Sequence, residues 1–402
     1  MKRWGIILIL VIIAGLGTAL FLILNYSSST LADFGTVPSE DDLVAGILAE
    51  RVVKMEQGEV TDLGEEHEIN VLLLGLDSRK NWEDAHCDAI HMLTFNLDAD
   101  TLIITSVPRG TYSYIPNGPY GETEYYLANA CYYAGLDYGI EQIERYVGKT
   151  HDYLVTVGFS QAMGVFRLFD LPEVETLQWL RHRQSYQIGE PQRSHNQAVF
   201  MKDMIVANLA TVTNDFSLPL QYVAYRMVNT DMDFATARGL LAVVEEMKLN
   251  ENPDSIVLQM RPYYETIDLH FDPENIEDQL AAITEFLRPY LGDEDLSEKS
   301  IEEIQAELID YLDYRLGLDE SVADVYEQQM WRQLSDESER ERLHYAYVER
   351  YAHEIGNDSP EEAAQLVLDY VLEKEVLGPE EYAKMGATLH ESIIETYGND
   401  SL

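Results

Sequence analysis

At 402 residues, 46% of them hydrophobic, the chain has room for two domains with appendages and enough apolar mass for a buried core. Its 27 Lys and Arg stand against 72 Asp and Glu, a formal charge of -45, which argues against nucleic acid or an anionic membrane surface as a partner held by the bulk field. An anionic ligand must enter through a local cationic pocket, and solubility or adaptation to salt or divalent ions accounts for the acidity itself.

Trp4 to Leu24 is an uninterrupted apolar run without a charge, preceded by Lys2 and Arg3. It is long enough to cross a bilayer, and the basic residues ahead of it place the amino end inside. The expectation is a single-pass anchor over residues 1–26, with everything after Tyr26 extracytoplasmic. A cleaved signal peptide processed near Ala32 is the competing reading, for which the apolar run is unusually long. Residues 27–68 read as a small, polar stalk followed by a spacer helix. Ser39 caps that helix, Glu40, Asp41 and Asp42 occupy its first turn, and it runs to Glu56.

Three apolar, β-branched-rich runs come next, Val71 to Leu76, Ile90 to Leu97 and Leu102 to Val107. Each has strand length and polar or turn residues at its ends. Only residues 98–101 separate the second from the third, so these two should pair antiparallel as a hairpin. That pairing puts Asp88, ahead of one strand, beside Arg109, just past the other. Asp77 and Arg79 leave the carboxy end of the first strand and join the same edge if it runs parallel to the third. Two carboxylates and two guanidiniums on one rim would suit a divalent metal and the phosphates it neutralises.

The segment 112–133 is dense in tyrosine, suited to covering a core or to lining a groove for a sugar or lipid chain. Gly139 to Val147 reads as a crossover helix, Tyr153 to Val157 as a buried strand, and Ser160 to Phe169 as a second helix. A further helix is expected to start near His195 and to bury Val199, Met204, Ile205 and Leu209, with Arg193 and Gln197 facing one direction at its amino end. Asp233 to Met247 reads as a helix, and Ser255 to Met260 and Tyr264 to Leu269 as closing strands. The alternation predicts an α/β domain over residues 69–273, a mixed central sheet flanked by helices. Cys87 and Cys131 fit no metal-ligand spacing; they either pair or remain buried thiols.

From residue 274 the texture changes. Residues 273–402 hold 34 Asp and Glu against 9 Lys and Arg, with helical periodicity in almost every window. The expected helices are Glu274 to Tyr290, Ile301 to Leu316, Val322 to Leu334, Glu339 to Ile355, Pro360 to Glu373 and Pro379 to Tyr397. Together they predict an all-α carboxy-terminal extension, residues 274–402, with apolar faces inside and acids outside.

The ordered pieces NVLLLGLDSR, Asp88 at the head of a strand, SVPRGTYSYIP, LANACYYAG and QRSHNQ resemble the LytR-CpsA-Psr (LCP) family over about half the chain, residues 69–273. The resemblance implies a membrane-anchored extracytoplasmic transferase that moves a glycopolymer from a polyprenyl diphosphate carrier to peptidoglycan, with Mg2+ at the diphosphate. It further implies that Asp77 and Asp88 hold the metal, that Arg79, Arg109, Arg193 and Gln197 meet the diphosphate, and that Asn129 orients a loop; His195 is either a compensating diphosphate contact or an exposed helix-start residue. Asp77 or Asp88 would take the proton of the attacking hydroxyl. At four family positions this chain departs from the pattern: His86, Leu127 and Asn196 replace cationic residues, and Gly110 stands where the family has Asp. The alternatives are a non-catalytic, membrane-tethered scaffold whose extension recruits a protein partner, and a polyprenyl diphosphate hydrolase.

Overall fold

The computed structural model describes residues 35–58, 60, 63–77, 85–118, 121, 124–181, 189–214, 216–287 and 301–398. The expected anchor over residues 1–26, and Arg79, lie outside them. Among the described residues no helix is long and apolar enough to cross a membrane.

The spacer helix α1 (Glu40–Gln57) begins at Ser39, whose side chain accepts from the Asp42 amide, and stops at Gly58 in the left-handed region. It is packed down rather than free: Leu43 and Ile47 enter the main core. Arg51, 6% exposed, clamps it to the sheet. The guanidinium donates to both Asp152 carboxylate oxygens at 2.6 and 2.7 Å and to the carbonyls of Leu63, Glu65 and Glu68.

The three expected strands are β1 (Glu68–Asp77), β2 (His86–Asn96) and β3 (Thr101–Ser106). The β2–β3 hairpin is antiparallel, and β1 also pairs antiparallel with β2, so β1 and β3 point the same way. After α2 (Leu127–Ala134) and α3 (Leu136–Val147), β4 (Tyr153–Val157) returns parallel to β1. Then come α4 (Phe159–Leu168), α5 (Glu173–Arg181), α6 (Glu190–Asn214) and α7 (Leu218–Tyr225). The short β5 (Asn229–Thr230), α8 (Phe234–Glu246) and β6 (Ile256–Met260) complete a mixed six-stranded sheet in the order β5-β4-β1-β2-β3-β6.

Alternation splits the sheet's side chains between two cores. Ile69, Val71 and Phe95 face α1, α6 and α8, whereas Leu72, Leu74, Ile90 and Met92 face α2 and α3. In that second layer Cys87 and Cys131 form a disulfide, which resolves the two alternatives. The expected strand over Tyr264 to Leu269 does not form. The Gln192 amide donates to the Ile267 carbonyl at 2.7 Å and accepts its N–H at 3.1 Å, so a side chain satisfies the backbone that a neighbouring strand would have paired.

The extension comprises α9 (Ile276–Leu287), α10 (Ile301–Leu316), α11 (Ala323–Glu327), a 3-10 turn (Met330–Gln333), α12 (Glu337–Ile355), α13 (Pro360–Leu377) and α14 (Glu380–Tyr397). The expected single helix Val322 to Leu334 is broken at Gln329, whose φ of 51° ends one helical turn before the next begins. Its charges are not all outside: Arg332, Glu341 and Lys374 are buried and Glu373 is partly so, as the pairs Arg332–Glu373 (2.6 Å) and Lys374–Glu341 (2.5 Å).

Candidate functional site at the β1–β3 rim

The rim is set by an irregularity in the β1–β2 ladder. Gly75 pairs with Ala89, but Leu76 pairs with Cys87, which leaves Asp88 as an extra residue on β2. Plain alternation would send Asp88 the way of Ile90 and Met92, into the layer under α2 and α3. The bulge instead turns it to the opposite face, where it lines a cavity with Asp77, Ala89 and His91. Cys87 is thereby free to enter the α2–α3 layer and bridge to Cys131. Gly75 is held to its size by the same pairing, since an added Cβ would come within 2.9 Å of the Ala89 Cβ.

Arg109 follows β3 and ion-pairs through Nη1 with Asp88 Oδ1, as the hairpin required. Its loop is sewn to the start of α2, where the Ala128 amide donates to the Arg109 carbonyl at 3.1 Å and the Leu127 amide to the Thr111 carbonyl at 2.9 Å. From the other side, α6 brings Arg193. The helix starts at Glu190, five residues before the expected position, so Arg193 lies in its first turns. There Nη2 donates to the Asp88 carbonyl at 2.5 Å and Nε ion-pairs with Glu190 at 3.3 Å.

Two cavities meet at these residues. One, about 320 Å³, runs beneath the rim between the sheet and α4–α6, lined by aliphatic and aromatic side chains such as Leu73, Val155, Phe166 and Phe200. The other, about 660 Å³, opens outward past Arg109. Asp77, Asp88, Arg193 and Arg181 line both. Arg181, at the end of α5 and 4.5 Å over the Phe159 ring, is a cation that the sequence reading missed. An arginine closing an amphipathic helix reads as an ordinary C-terminal charge, and only the tertiary fold carries it to the rim.

His91 is a second residue the sequence did not reveal. Its Nδ1 meets Ser106 Oγ at 2.9 Å and its Nε2 meets Gln197 Oε1 at 3.3 Å. Burial lowers its pKa to about 4, only partly countered by the Gln197 hydrogen bond, and the Arg193 charge acts in the same direction as burial. The ring is therefore neutral near pH 7. Gln197 in turn donates to the Leu180 carbonyl at 3.0 Å, so its amide ties β2 to the end of α5 below the rim. Asn129, 2% exposed, donates to the carbonyl and carboxylate of Glu124, fixing the turn ahead of α2 rather than lining either cavity.

His195 is not brought to the rim. Two positions along a helix is about 200° of rotation, which sets it opposite Arg193 and Gln197, and its Nε2 pairs with Asp268 at 2.6 Å. Three of the four substituted positions have local uses. His86 stacks on Tyr132 with centroids 4.5 Å apart, Leu127 is fully buried, and Asn196 accepts from Gln192 at 2.8 Å. A Cβ at Gly110 would meet open space.

Among the described residues no group of three or more His, Cys, Asp or Glu could hold a metal ion by itself. Asp77 and Asp88 supply two hard carboxylates beside a space large enough for phosphates. That donor set suits magnesium, which takes one or two carboxylates and completes its shell with substrate phosphates and water.

Residues 47–163 match the LytR_cpsA_psr family. Polyisoprenyl-teichoic acid–peptidoglycan teichoic acid transferase TagT of Bacillus subtilis (strain 168) is 29% identical over 170 residues, 40% of this chain and 47% of its own. An uncharacterized protein of Staphylococcus aureus (strain NCTC 8325 / PS 47) is 33% identical over 103 residues, 24% of this chain and 25% of its own. The match thus spans about half the length of the first relative and a quarter of the second. Among solved structures, B. subtilis TagV aligns with a TM-score of 0.36 and 15% identity, covering 56% of this chain and 98% of that one. The matched stretch carries Asp77, Asp88 and Arg109, and over it the chain is similar to the LytR-CpsA-Psr family.

Proposed function

We propose that this chain is a membrane-anchored, extracytoplasmic phosphotransferase that moves a glycopolymer from a polyprenyl diphosphate to peptidoglycan. The observation that carries the reading is the meeting of an apolar cavity of about 320 Å³ with a mixed-charge rim bearing Asp77, Asp88, Arg181 and Arg193. A prenyl chain fits the first and a diphosphate the second. The curated relative TagT, whose name describes transfer of a polyisoprenyl-linked teichoic acid to peptidoglycan, supports the same class of reaction. The apolar run Trp4 to Leu24 supports the anchor and the extracytoplasmic placement.

In this reading Arg109, Arg181 and Arg193 bind and orient the diphosphate, and Asp77 and Asp88 would hold magnesium. When bound, the ion neutralises charge that builds on the phosphates. An acceptor hydroxyl oxygen bonds to the glycan-side phosphorus while the bridging P–O bond breaks. The bonding pair leaves with the polyprenyl phosphate, and the hydroxyl proton passes to a rim carboxylate. Apolar walls below the rim exclude water, which favours transfer over hydrolysis.

The test is incubation of the full chain, in detergent, with a glycan-bearing polyprenyl diphosphate, magnesium and peptidoglycan fragments, following polyprenyl phosphate release and the new phosphodiester by mass spectrometry. Loss of both products in Asp88→Ala and Arg181→Ala supports the reading. Turnover that survives both substitutions refutes it. Binding without turnover points to the scaffold, which the Asp88–Arg109 ion pair at the rim favours because it occupies a carboxylate the metal would need. Polyprenyl phosphate release without a phosphodiester points to the hydrolase.

A further inference from the structure

The extension is built into the rim rather than hung beside it. Its 3-10 turn docks on α4: Gln333 donates to Ser160 Oγ at 2.9 Å, and Arg167 donates to the Arg332 carbonyl at 3.3 Å. The Arg332 side chain lies in the space that a Cβ on Gly164 would need, 3.1 Å away. A second tie joins α7 to α13, where Tyr222 donates to Asp369 at 3.0 Å and Arg226 ion-pairs with the same carboxylate at 3.2 Å. The turn in turn fixes α10, because the Gln305 amide donates to the Gln333 carbonyl at 3.0 Å and accepts the Ser335 N–H at 2.8 Å.

Held in this way, α10 sets Ile304 and Leu308, one turn apart, along the outer side of the 660 Å³ cavity whose inner side is Asp77, Asp88 and Arg109. Met163, Val174, Leu177 and Leu280 line the space between. Ile304 is 51% exposed, an isoleucine set on a cavity and not in a core.

We propose that α10 and the 3-10 turn form the outer wall of a subsite for the first sugar of the donor, so that the extension selects which glycan the rim accepts. The inference rests on the transferase reading and extends it. A diphosphate has two ester ends. With its prenyl end in the apolar cavity and its phosphates at the residues common to both cavities, its other end leaves the rim into the space that α10 bounds. That space falls within the range of ligand pockets, ~300–1,000 Å³. Aliphatic side chains there suit the C–H face of a pyranose, and the exposed Gln178 amide on the cavity lining offers hydrogen bonds to its hydroxyls.

The test uses the full chain with magnesium and two probes, farnesyl diphosphate and farnesyl diphosphate esterified to one N-acetylhexosamine, with affinities read by calorimetry. Ile304→Trp fills the space from a half-exposed helix position and leaves the rim untouched. The expected result is a loss of about tenfold or more for the sugar-bearing probe, the scale of a misfit in a pocket, with farnesyl diphosphate within about twofold of wild type. Ile304→Ala, which only enlarges the space, should bind farnesyl diphosphate as wild type does and the sugar-bearing probe more weakly than wild type. Equal effects on both probes, or none on either, overturn the proposal, as does an Ile304→Trp defect confined to acceptor KM at saturating donor. If wild type binds neither probe, the transferase reading falls first and the wall with it. If it binds both but Ile304 variants do not discriminate, only the wall falls.

Discussion

Replacing Arg109 by Gln separates the proposed diphosphate seat from a structural ion pair. Arg109 and Asp88 are 18% and 17% exposed, so their pair is mostly dehydrated but still open to the cavity. A hydrogen bond to a charged group contributes roughly 1.5–3 kcal/mol, and each 1.36 kcal/mol is tenfold. The substitution should therefore weaken farnesyl diphosphate binding about 10- to 150-fold in magnesium. Asp88→Asn is the partner measurement, and its sign should depend on the metal. Without magnesium it removes a negative charge facing phosphates and binding improves; with magnesium it removes a ligand and binding worsens. Calorimetric titration of the full chain, with and without magnesium, reads all four combinations. A loss below about threefold for Arg109→Gln, or an Asp88→Asn effect of the same sign in both conditions, would refute the geometry proposed for the rim.

Three further outcomes concern stability. Arg51→Met leaves the buried Asp152 carboxylate with the Asn70 amide, 2.7 Å away, as its remaining donor in this network, and should cost about 3–5 kcal/mol in urea unfolding; a change under ~1 kcal/mol would show that α1 is not clamped. The Cys87–Cys131 bridge closes a loop with a sequence separation of 44, so unfolding titrations with and without reductant should differ by about 4 kcal/mol on loop-closure entropy. Because burial holds His91 near pKa 4 in the folded state, against 6.5 when unfolded, the unfolded chain binds the extra proton between those values. Its contribution is intact above pH 6.5 and is lost as the pH falls towards 4, in total roughly 3 kcal/mol. The wild-type stability loss between pH 7 and 4 should exceed that of His91→Asn by this amount, and equal losses would place the ring in water.

What the sequence could show depended on whether a residue's position follows from local pattern. The β2–β3 hairpin fixes Asp88 beside Arg109 by pairing alone, and that contact was legible before any coordinates. The face on which they meet was not, because a bulge is not written in alternation; read with period two, Asp88 belongs with Ile90 and Met92. Helical phase separates Arg193 from His195, but the phase is usable only once the helix start is known, and the start at Glu190 carries no strong cap signal in the sequence. Arg181 reaches the rim through long-range packing of α5 against α6, which no window contains. Tyr264 to Leu269 has the composition of a strand, yet one glutamine from α6 captures its backbone. The extension's helices were legible from periodicity, whereas its part in bounding the larger cavity depends on a side chain, Gln333, that reaches Ser160 on another element.

The missing side chain at Gly75 constrains the apolar cavity beyond its local packing. With Ala89 directly opposite, even one methyl would push against the neighbouring strand, so the sheet bank of the cavity below the charged rim cannot be narrowed at Gly75. Its bore can instead be retuned from the helical bank, at Leu177, Leu180 or Val165, where a side chain can lengthen without disturbing a ladder. Tail girth would then be set by α4 and α5, leaving the strands that carry the acids unchanged while the calibre of the passage drifts.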